Sequence, residues 1–304
     1  MTDEANAKAR FWIGPSGWSY RDWVGVVYPS RPPRGFRPLP FIAQRFRTVE
    51  INSTFYRTPT PATAAGWAAQ VPGGFRFAVK LTRALTHERR PAPEEAEAAK
   101  FREALAPLKE TQRLGPLLLQ FPWSFRYTSA NVDWLRRLRD LFADFERVIE
   151  VRHASWSKPA AVARLRECGT ICNIDQPALR DCLGPSTHAS SIAYVRLHGR
   201  NAADWFAEGI PAYQRYNYLY SEEELREWAP RLNALADEAR DVYVFANNHY
   251  RGQGVVNALE LRAMVEGARV TAPEELLTSY PRLRRSALPP RAPGLFDGVG
   301  HDEG

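Results

Sequence analysis

The 304-residue sequence lacks the segments that direct a protein to or across a membrane. Residues 1–10 are polar and of mixed charge, without the apolar core of a secretory signal peptide. Apolar runs are short, and none approaches the roughly 20 residues that span a bilayer. Cysteine is scarce, because only Cys168, Cys172 and Cys182 occur, and their spacing does not match a paired zinc motif. We therefore predict a cytoplasmic protein with free thiols and no membrane attachment.

Several catalytic and cofactor-binding motifs are also missing. No Gly-x-Gly-x-x-Gly or P-loop sequence occurs, which removes the main motif support for a dinucleotide-binding fold. Neither the spacing of a Ser/His/Asp triad nor a nucleophile elbow is recognisable. Acidic residues are outnumbered, since 41 Lys and Arg against 34 Asp and Glu leave a net charge of +7. This excess favours acidic partners, including phosphorylated metabolites and nucleic acid.

Short strand-like runs alternate with helical stretches along the chain. The predicted strands are residues 11–15, 48–52, 75–80, 116–121, 147–152, 170–175, 192–198 and 242–247. The predicted helices are residues 63–70, 93–109, 130–142, 159–168, 222–238 and 255–267. Eight such repeats indicate βαβ units that close into an α/β fold, a single-domain (β/α)₈ TIM-type barrel. We assign the barrel to residues 11–280, with a disordered segment at 1–10 and a loose Pro- and Arg-rich tail at 281–304.

Polar and aromatic residues follow nearly every predicted strand, where the active sites of such barrels lie. In chain order they are Ser16, Gly17, Trp18, Tyr20, Glu50, Asn52, Tyr56, Lys80, Gln120, Glu150, Arg152, His153, Asp175, Arg196, His198, Arg200, Asn247 and Asn248. Side chains alternate between the two faces of a strand, so residues two apart share a face. Three charged or polar pairs should therefore point into the barrel mouth: Glu50 with Asn52, Glu150 with Arg152, and Arg196 with His198.

Each of these residues also has a purely structural interpretation. Glu150 and Arg152 can form an ion pair without further function, because buried charges usually pair. His198 can be a structural histidine, and Asp175 can cap the turn that follows it. Trp18 and Tyr20 can cover the barrel rim as packing. Agreement across seven or eight strand ends favours a functional site over a separate explanation for each residue.

The chemistry of this set suits an anionic ligand. Lys80, Arg152, Arg196 and Arg200 are donors suited to phosphate or carboxylate groups. We predict catalytic roles for four residues, with Glu50, Glu150 or Asp175 as base and His198 as acid, and substrate binding by the remaining strand-end residues. The same four residues could alternatively hold a divalent metal such as Mn²⁺, Mg²⁺ or Zn²⁺. Neighbouring cations compete for those carboxylates, so the cofactor stays undetermined.

Several motifs resemble those of a known family. They are Gly-Pro-Ser-Gly-Trp-Ser-Tyr at 14–20, Glu-Ile-Asn-Ser-Thr-Phe-Tyr at 50–56, Phe-Arg-Phe-Ala-Val-Lys at 75–80, Thr-His at 86–87, Glu-Val-Arg-His at 150–153, Arg-Leu-His-Gly-Arg at 196–200 and Asn-Asn-His at 247–249. In this order they are similar to domain-of-unknown-function family 72 (DUF72, YecE-like). The resemblance implies a TIM-type barrel and a site at the same rim residues, but no established reaction. Pro15 stands where the family more often has a small polar residue, and Ala246 replaces a common aromatic.

Three hypotheses of function follow. The first is an enzyme that acts on a small anionic substrate, a phosphorylated sugar or nucleotide, by acid–base chemistry at the C-terminal rim. The second is a protein that binds or processes nucleic acid, suggested by Trp18, Tyr20 and the arginine-rich tail. The third is a barrel that binds a metabolite without catalysis. The oligomeric state is not predicted.

Overall fold

Eight parallel strands form the central sheet in the computed structural model, which describes residues 8–89 and 95–290. They are β1 (Arg10–Pro15), β2 (Thr48–Ile51), β3 (Arg76–Lys80), β4 (Leu114–Gln120), β5 (Arg147–Glu150), β6 (Thr170–Asp175), β7 (Ile192–Leu197) and β8 (Asp241–Ala246). Every strand ends within two residues of its predicted bounds. The sheet order is β1-β8-β7-β6-β5-β4-β3-β2. Consecutive strands from β2 to β8 are paired with each other, β1 is paired with β8, and β1 and β2 are the two end strands.

The two end strands meet beyond β1 and nearly close the barrel. A parallel bridge joins Ser16 to Glu50, and the Gly17 N–H donates to the Glu50 carbonyl oxygen at 2.8 Å. Gly14 permits this close approach, because a Cβ at that position would lie 2.2 Å from the Thr48 carbonyl oxygen. The predicted (β/α)₈ TIM-type barrel is therefore confirmed.

Helices pack around the strands. They are α1 (Pro38–Ala43), α2 (Ser53–Tyr56), α3 (Pro61–Ala68), α4 (Glu95–Glu110), α5 (Ser129–Leu141), α6 (Pro159–Cys168), α7 (Glu222–Arg226), α8 (Trp228–Glu238), α9 (Gln253–Glu266) and α10 (Glu274–Ser279). The single helix predicted at 222–238 is divided at Glu227, since Pro230 in the first turn of α8 has no N–H to continue the α7 hydrogen-bond pattern. Residues 176–191 connect β6 to β7 without a helix. None of the helices described is both long and apolar enough to cross a bilayer.

Apolar side chains form two cores. The larger lies between the strands and the helices and includes Trp23, Phe101 and Trp228. The smaller fills the barrel interior with Trp12, Ala78, Leu118, Val148, Cys172, Ile174, Ile192, Tyr194, Tyr243 and Phe245. Because side chains alternate along a strand, the inward face of β5 continues from Val148 to Glu150, and that of β7 from Tyr194 to Arg196. The apolar interior therefore gives way to charge toward the C-terminal ends of the strands.

Regular structure continues past residue 280. A 3₁₀ helix spans Pro281–Arg285. Beyond it, the short strand β10 (Ala287–Leu288) pairs in parallel with β9 (Val270–Thr271). Leu283 and Ala287 are buried, so this part of the predicted loose tail packs against the barrel. The rest of that predicted tail, residues 291–304, lies outside the described residues, as do residues 1–7 of the predicted disordered segment. Arg10 of that segment belongs to β1.

Candidate active site at the barrel mouth

A buried layer of charged side chains covers the apolar interior of the barrel. Arg196 donates from Nη1 to Glu150 at 2.6 Å and from Nη2 to Glu50 at 2.7 Å. Glu50 also accepts hydrogen bonds from the Ser16 and Tyr194 hydroxyls, at 2.8 and 2.7 Å. Arg196 is 1% exposed and both glutamates are 0% exposed, so none of the three can reach a ligand in solution directly. This layer places the predicted charges together, but it corrects the prediction that Arg196 binds substrate.

Glu150 is the second carboxylate of this layer and contacts both of its arginines. It accepts a hydrogen bond from Arg152 Nε at 2.9 Å in addition to the bond from Arg196. Burial alone would raise the pKa of the Glu150 carboxyl, but Arg196, His198 and Arg152 together hold it well below its usual range. A carboxylate so strongly stabilised is a poor proton acceptor. The geometry therefore does not support the prediction that Glu150 is a general base.

His198 is locked into one neutral tautomer by its neighbours. Its Nε2 lies 3.1 Å from Glu150 Oε1, and its Nδ1 lies 3.0 Å from Asn247 Nδ2. Arg196 donates to Asn247 Oδ1 at 3.1 Å, which leaves the Asn247 amide N–H to donate to His198 Nδ1. The ring proton must then lie on Nε2 and be donated to Glu150. The protein thus engages both ring nitrogens, and burial lowers the pKa of His198 to about 4 despite the opposing effect of Glu150. The geometry therefore does not support His198 as the predicted acid.

A cavity of about 540 Å³ opens beside this layer at the ends of β3, β4 and β5. Its size is in the range of small-molecule sites. Four predicted site residues line it: Tyr56, Lys80, Gln120 and Arg152. The remaining lining residues are Phe55, Arg83, His87, Pro122, Trp123, Trp205, Phe206, Glu208, Arg215 and Tyr216. Arg152 both lines the cavity and bonds to Glu150, so it links the cavity to the buried charged layer.

Two titratable side chains of the cavity have strongly shifted pKa values. Burial, with the nearby Arg196 and Arg152, lowers the pKa of Lys80 to about 7, although Glu150 and Glu50 oppose the shift. Its Nζ lies 4.0 Å from the centre of the Phe55 ring. Burial and the adjacent Lys80 lower the pKa of His87 to about 4. At neutral pH the His87 ring is therefore uncharged, and Lys80 is divided between its neutral and protonated forms.

Asp175 and Arg200 lie on the outer side of the barrel. Asp175 accepts two hydrogen bonds from Arg200, at 3.0 and 2.8 Å, and one each from Tyr220 and Trp228, both at 2.9 Å. The inward position on β6 belongs to Ile174, so Asp175 points outward toward α7 and α8. The prediction that Asp175 and Arg200 face the mouth is therefore wrong. Asp175 is buried, whereas Arg200 is partly exposed and also pairs with Glu224 and Glu227.

The loop after β1 supports the rim by packing. Gly17 adopts a φ of +81°, a conformation that favours glycine. Trp18 packs edge-on against Trp67. Tyr20 stacks on His249 with ring centres 4.5 Å apart. Neither aromatic side chain lines the cavity, so the structure corrects their prediction as ligand-stacking groups and favours the packing interpretation.

Three further predicted binding residues lie off the cavity wall. His153 accepts a hydrogen bond from the Ser155 N–H at 3.0 Å and begins a 3₁₀ helix. Asn248 donates to Asn257 at 2.8 Å and thereby ties the end of β8 to α9. Asn52 precedes α2, and its buried Oδ1 has no hydrogen-bond partner among the described residues. These contacts account for His153 and for the Asn248 amide N–H, but the buried Oδ1 atoms of both Asn52 and Asn248 have no partner among the described residues.

The four residues predicted as alternative metal ligands do not come together. Asp175 lies outside the barrel, and the oxygens of Glu50 and Glu150 are engaged by arginine, hydroxyl and imidazole groups. Across residues 8–89 and 95–290, no three His, Cys, Asp or Glu side chains are grouped as a metal site would require. The hypothesis of a metal held by this set is therefore wrong.

Comparison with known proteins defines the family. Residues 12–279 match the family described as "Protein of unknown function DUF72". The chain belongs to the DUF72 family. This span includes all eight barrel strands except the first two residues of β1, so the predicted family is confirmed.

Other DUF72 proteins share the sequence and the fold. A DUF72 protein from Thermotoga maritima MSB8 is 34% identical, and its crystal structure superposes with a TM-score of 0.74 over 84% of this chain and 99% of that one. A DUF72 protein from Enterococcus faecalis V583 is 27% identical, with a TM-score of 0.72 over 84% and 95% of the two chains. The UPF0759 protein YunF of Bacillus subtilis (strain 168) is 27% identical over 270 residues, which cover 84% of this chain and 94% of YunF.

The sequence missed part of this DUF72 cavity because two loops supply it. Residues 83–87 follow β3, and His87 belongs to the Thr-His motif of the family resemblance, which was the available signal. The connection after β7 supplies Trp205, Arg215 and Tyr216. Several aromatic residues in a long loop were a weak signal there. Tyr194 was missed in the buried layer, because a tyrosine on an apolar strand is indistinguishable from core.

Proposed function

We propose that this DUF72 protein is an enzyme that binds a small phosphorylated compound, a sugar phosphate or a nucleotide, in the cavity at the barrel mouth. The observation that carries this proposal is that two basic side chains of the cavity wall, Lys80 and Arg215, have no carboxylate partner among residues 8–89 and 95–290. The proposal places acid–base chemistry at the cavity wall, and it gives the buried charged layer beneath the wall a positioning role.

The cavity holds more positive than negative charge. Its wall carries Lys80, Arg83, Arg152 and Arg215 against one carboxylate, Glu208. Arg83 is paired with a glutamate outside the wall, but Lys80 and Arg215 form no ion pair within the described part of the chain. Phosphate and carboxylate groups are the natural partners of such donors.

Arg215 is the clearest anion donor. Its Nη2 donates to the Ala207 carbonyl oxygen at 2.9 Å, and its buried Nε has no partner among the described residues. Arg152 uses its Nε for Glu150, which leaves its terminal nitrogens toward the cavity. A buried guanidinium donor without an acceptor is costly, and a ligand oxygen would remove that cost.

Aromatic side chains supply the rest of the wall. Trp123 and Phe206 contact each other edge-on, with ring centres 5.4 Å apart. The Arg152 guanidinium lies 5.5 Å from the centre of the Trp205 ring. Apolar and aromatic walls with a few fixed charges are typical of sites for sugar rings or bases that carry a phosphate.

Lys80 takes the acid–base role in this proposal. It lines the cavity, and its pKa of about 7 allows it to accept and return a proton near neutral pH. Glu50, Glu150 and His198 are instead positioning residues, because they hold Arg152 in the wall and Arg196 beneath it. This reassigns the predicted catalytic roles to a residue that the sequence predicted for binding.

Binding can be measured by calorimetry and by thermal shift with inorganic phosphate, sugar phosphates and nucleotides. A ligand at 100 times its Kd stabilises the native state by about 2.7 kcal/mol. Arg215→Ala should weaken that binding by about 10- to 100-fold, because a hydrogen bond to a charged group contributes about 1.5–3 kcal/mol. The matched control is Arg137→Ala, an exposed arginine on α5. Equal affinities for the two variants would refute the proposed anion site.

Nucleic acid remains the second candidate because aromatic side chains are exposed near the mouth. Tyr56, Phe206 and Tyr213 are 73%, 49% and 42% exposed. The tail gives less support than its sequence suggests, since Arg282 and Arg284 are paired with Glu260 and Glu274 at 2.9 and 2.8 Å. Salt-sensitive binding of oligonucleotides without binding of small phosphates would favour this candidate. Binding of a small phosphate without turnover under any condition would favour a non-catalytic barrel.

A further inference from the structure

Lys80 is set apart from the other lysines of the chain. Only five of the 41 basic residues are lysines: Lys8, Lys80, Lys100, Lys109 and Lys158. The other four are exposed, whereas Lys80 is partly buried at the end of β3 and lines the cavity. A chain that uses arginine for nearly all its positive charge places a lysine here. Arginine is always charged, but lysine can lose its proton and become a nucleophile.

The surroundings of Lys80 favour the neutral amine. Burial is the main cause of its lowered pKa, and it outweighs the contact of Nζ with the face of the Phe55 ring, which by itself favours the protonated form. The charged groups that face it are Glu50 from β2, Glu150 and Arg152 from β5, and Arg196 from β7, with Arg83 and His87 nearby on its own loop. Both glutamates are already engaged by arginine, so neither forms an ion pair with Lys80. A desolvated amine beside other cations is the arrangement that activates a lysine nucleophile.

We propose that Lys80 forms an imine with the aldehyde or ketone group of a phosphorylated substrate held in this cavity. This inference rests on the proposed function, because the same wall supplies the phosphate donors. It narrows the substrate class to phosphorylated carbonyl compounds, and it gives Lys80 a covalent role in place of the acid–base role.

The step is balanced without an oxidant or a reductant. The neutral Nζ attacks the carbonyl carbon, a C–N bond forms, and a proton moves from nitrogen to the former carbonyl oxygen. The carbinolamine then takes up one proton and loses that oxygen as water, which leaves a protonated imine. Hydrolysis reverses the sequence and restores the amine. The positive charge of the imine withdraws electrons from the adjacent carbon, so the bonds to that carbon become easier to break.

Pyridoxal 5′-phosphate and borohydride provide the test, because this probe joins an aldehyde, an aromatic ring and a phosphate. Borohydride donates a hydride to the imine carbon and makes the link to lysine permanent. Digestion and mass spectrometry then report which of the five lysines carries the probe. At pH 7 about half of Lys80 is neutral, whereas a lysine with an ordinary pKa has a neutral fraction about 10³-fold smaller. We therefore expect labelling at Lys80 to exceed that at Lys158 by at least tenfold.

Variants and a second probe separate this inference from the proposed function. Lys80→Arg keeps the charge and should lose the dominant label, and Lys158→Arg should retain it. Pyridoxal, the same aldehyde without phosphate, should label Lys80 more slowly, and inorganic phosphate should slow labelling by pyridoxal 5′-phosphate.

The outcomes are distinct. Phosphate binding that depends on Arg215, together with equal labelling of Lys80 and Lys158, overturns the imine and leaves the anion site intact. Preferential labelling of Lys80 by both probes at equal rates, without phosphate binding, supports a nucleophilic lysine and overturns the phosphorylated substrate class. Preferential labelling of Lys80 that phosphate slows supports both.

Discussion

Replacing Arg196 by methionine tests whether the buried charged layer is balanced as the structure indicates. In the native protein, Glu50 and Glu150 face the two guanidinium groups of Arg196 and Arg152, so the layer has no net charge. Arg196→Met leaves two carboxylates and one guanidinium in a region with almost no solvent exposure. Glu50 loses its only cationic partner among the described residues and keeps only the hydroxyls of Ser16 and Tyr194.

The expected cost follows from which groups lose partners. Removing one member of a buried ion pair destabilises a protein by about 3–5 kcal/mol. Glu150 keeps Arg152 and His198, so we expect about 4 kcal/mol in total, not twice the value for one pair. At roughly 2 °C per kcal/mol for a chain of this size, the melting temperature should fall by about 8 °C.

The second substitution Glu50→Gln restores the charge balance, because it leaves Glu150 facing Arg152. We expect the double variant to recover about 2 kcal/mol of the loss, measured by urea unfolding with tryptophan fluorescence. Arg137→Met on α5 is the control and should change stability by less than about 0.5 kcal/mol. A loss below about 1 kcal/mol in Arg196→Met, or no recovery in the double variant, would refute the proposed balance.

Three other predictions address the remaining parts of the architecture. Asp175→Ala should destabilise the fold by about 2–5 kcal/mol, because the buried Tyr220 hydroxyl and Trp228 indole N–H lose their acceptor, while calorimetry at low temperature should show unchanged phosphate affinity. A loss of affinity there would contradict our placement of this residue outside the site. His198 has a folded pKa of about 4 against an ordinary value of 6.5, so the unfolded chain takes up the proton first as the pH falls. Its contribution to stability is complete above pH 6.5 and should decline by about 3 kcal/mol toward pH 4. His198→Asn should show a flatter dependence in unfolding experiments across this range, and an unchanged slope would argue against a neutral buried ring. Gly14→Ala should lower stability by about 1–3 kcal/mol, since the new methyl would meet the Thr48 carbonyl oxygen, whereas Gly73→Ala, with open space around it, should be tolerated. Equal melting temperatures for these two variants would be inconsistent with the close approach of β1 and β2.

The strands could be predicted from sequence because their signals are local. Runs such as Leu117–Leu119 and the apolar residues on both sides of Arg196 indicate strands that are buried on both faces. The same property made the direction of Asp175 hard to predict. An isoleucine such as its neighbour Ile174 is expected both in the barrel interior and against a helix, so the sequence does not show which way Ile174 points. Only the assembled barrel shows that Ile174 faces the interior and that Asp175 therefore faces outward.

The pairing of charges depends on contacts between distant parts of the chain. Glu50 and Arg196 are 146 residues apart, and the sequence could place each at a strand end without showing that they bond to each other. Arg196, which was predicted to bind ligand, therefore has its hydrogen bonds satisfied by groups of the protein. Conversely, Arg215 has no strand-end signal, and it reaches the cavity only because the β7–β8 connection folds back over the mouth.

By itself the sequence determined the order of the strands, which side chains share a face of each strand, and the family. These follow from repeated βαβ patterning and from contiguous motifs, which are properties of short segments. The tertiary structure decided which polar side chains are satisfied and which remain available. That distinction requires the partner of every donor and acceptor, and those partners come from strands and loops far apart in the chain. Lys80 shows the difference most clearly. In the sequence it is an ordinary strand-end lysine, and its pKa of about 7 arises from burial in the assembled barrel and from the Arg196 and Arg152 guanidinium groups.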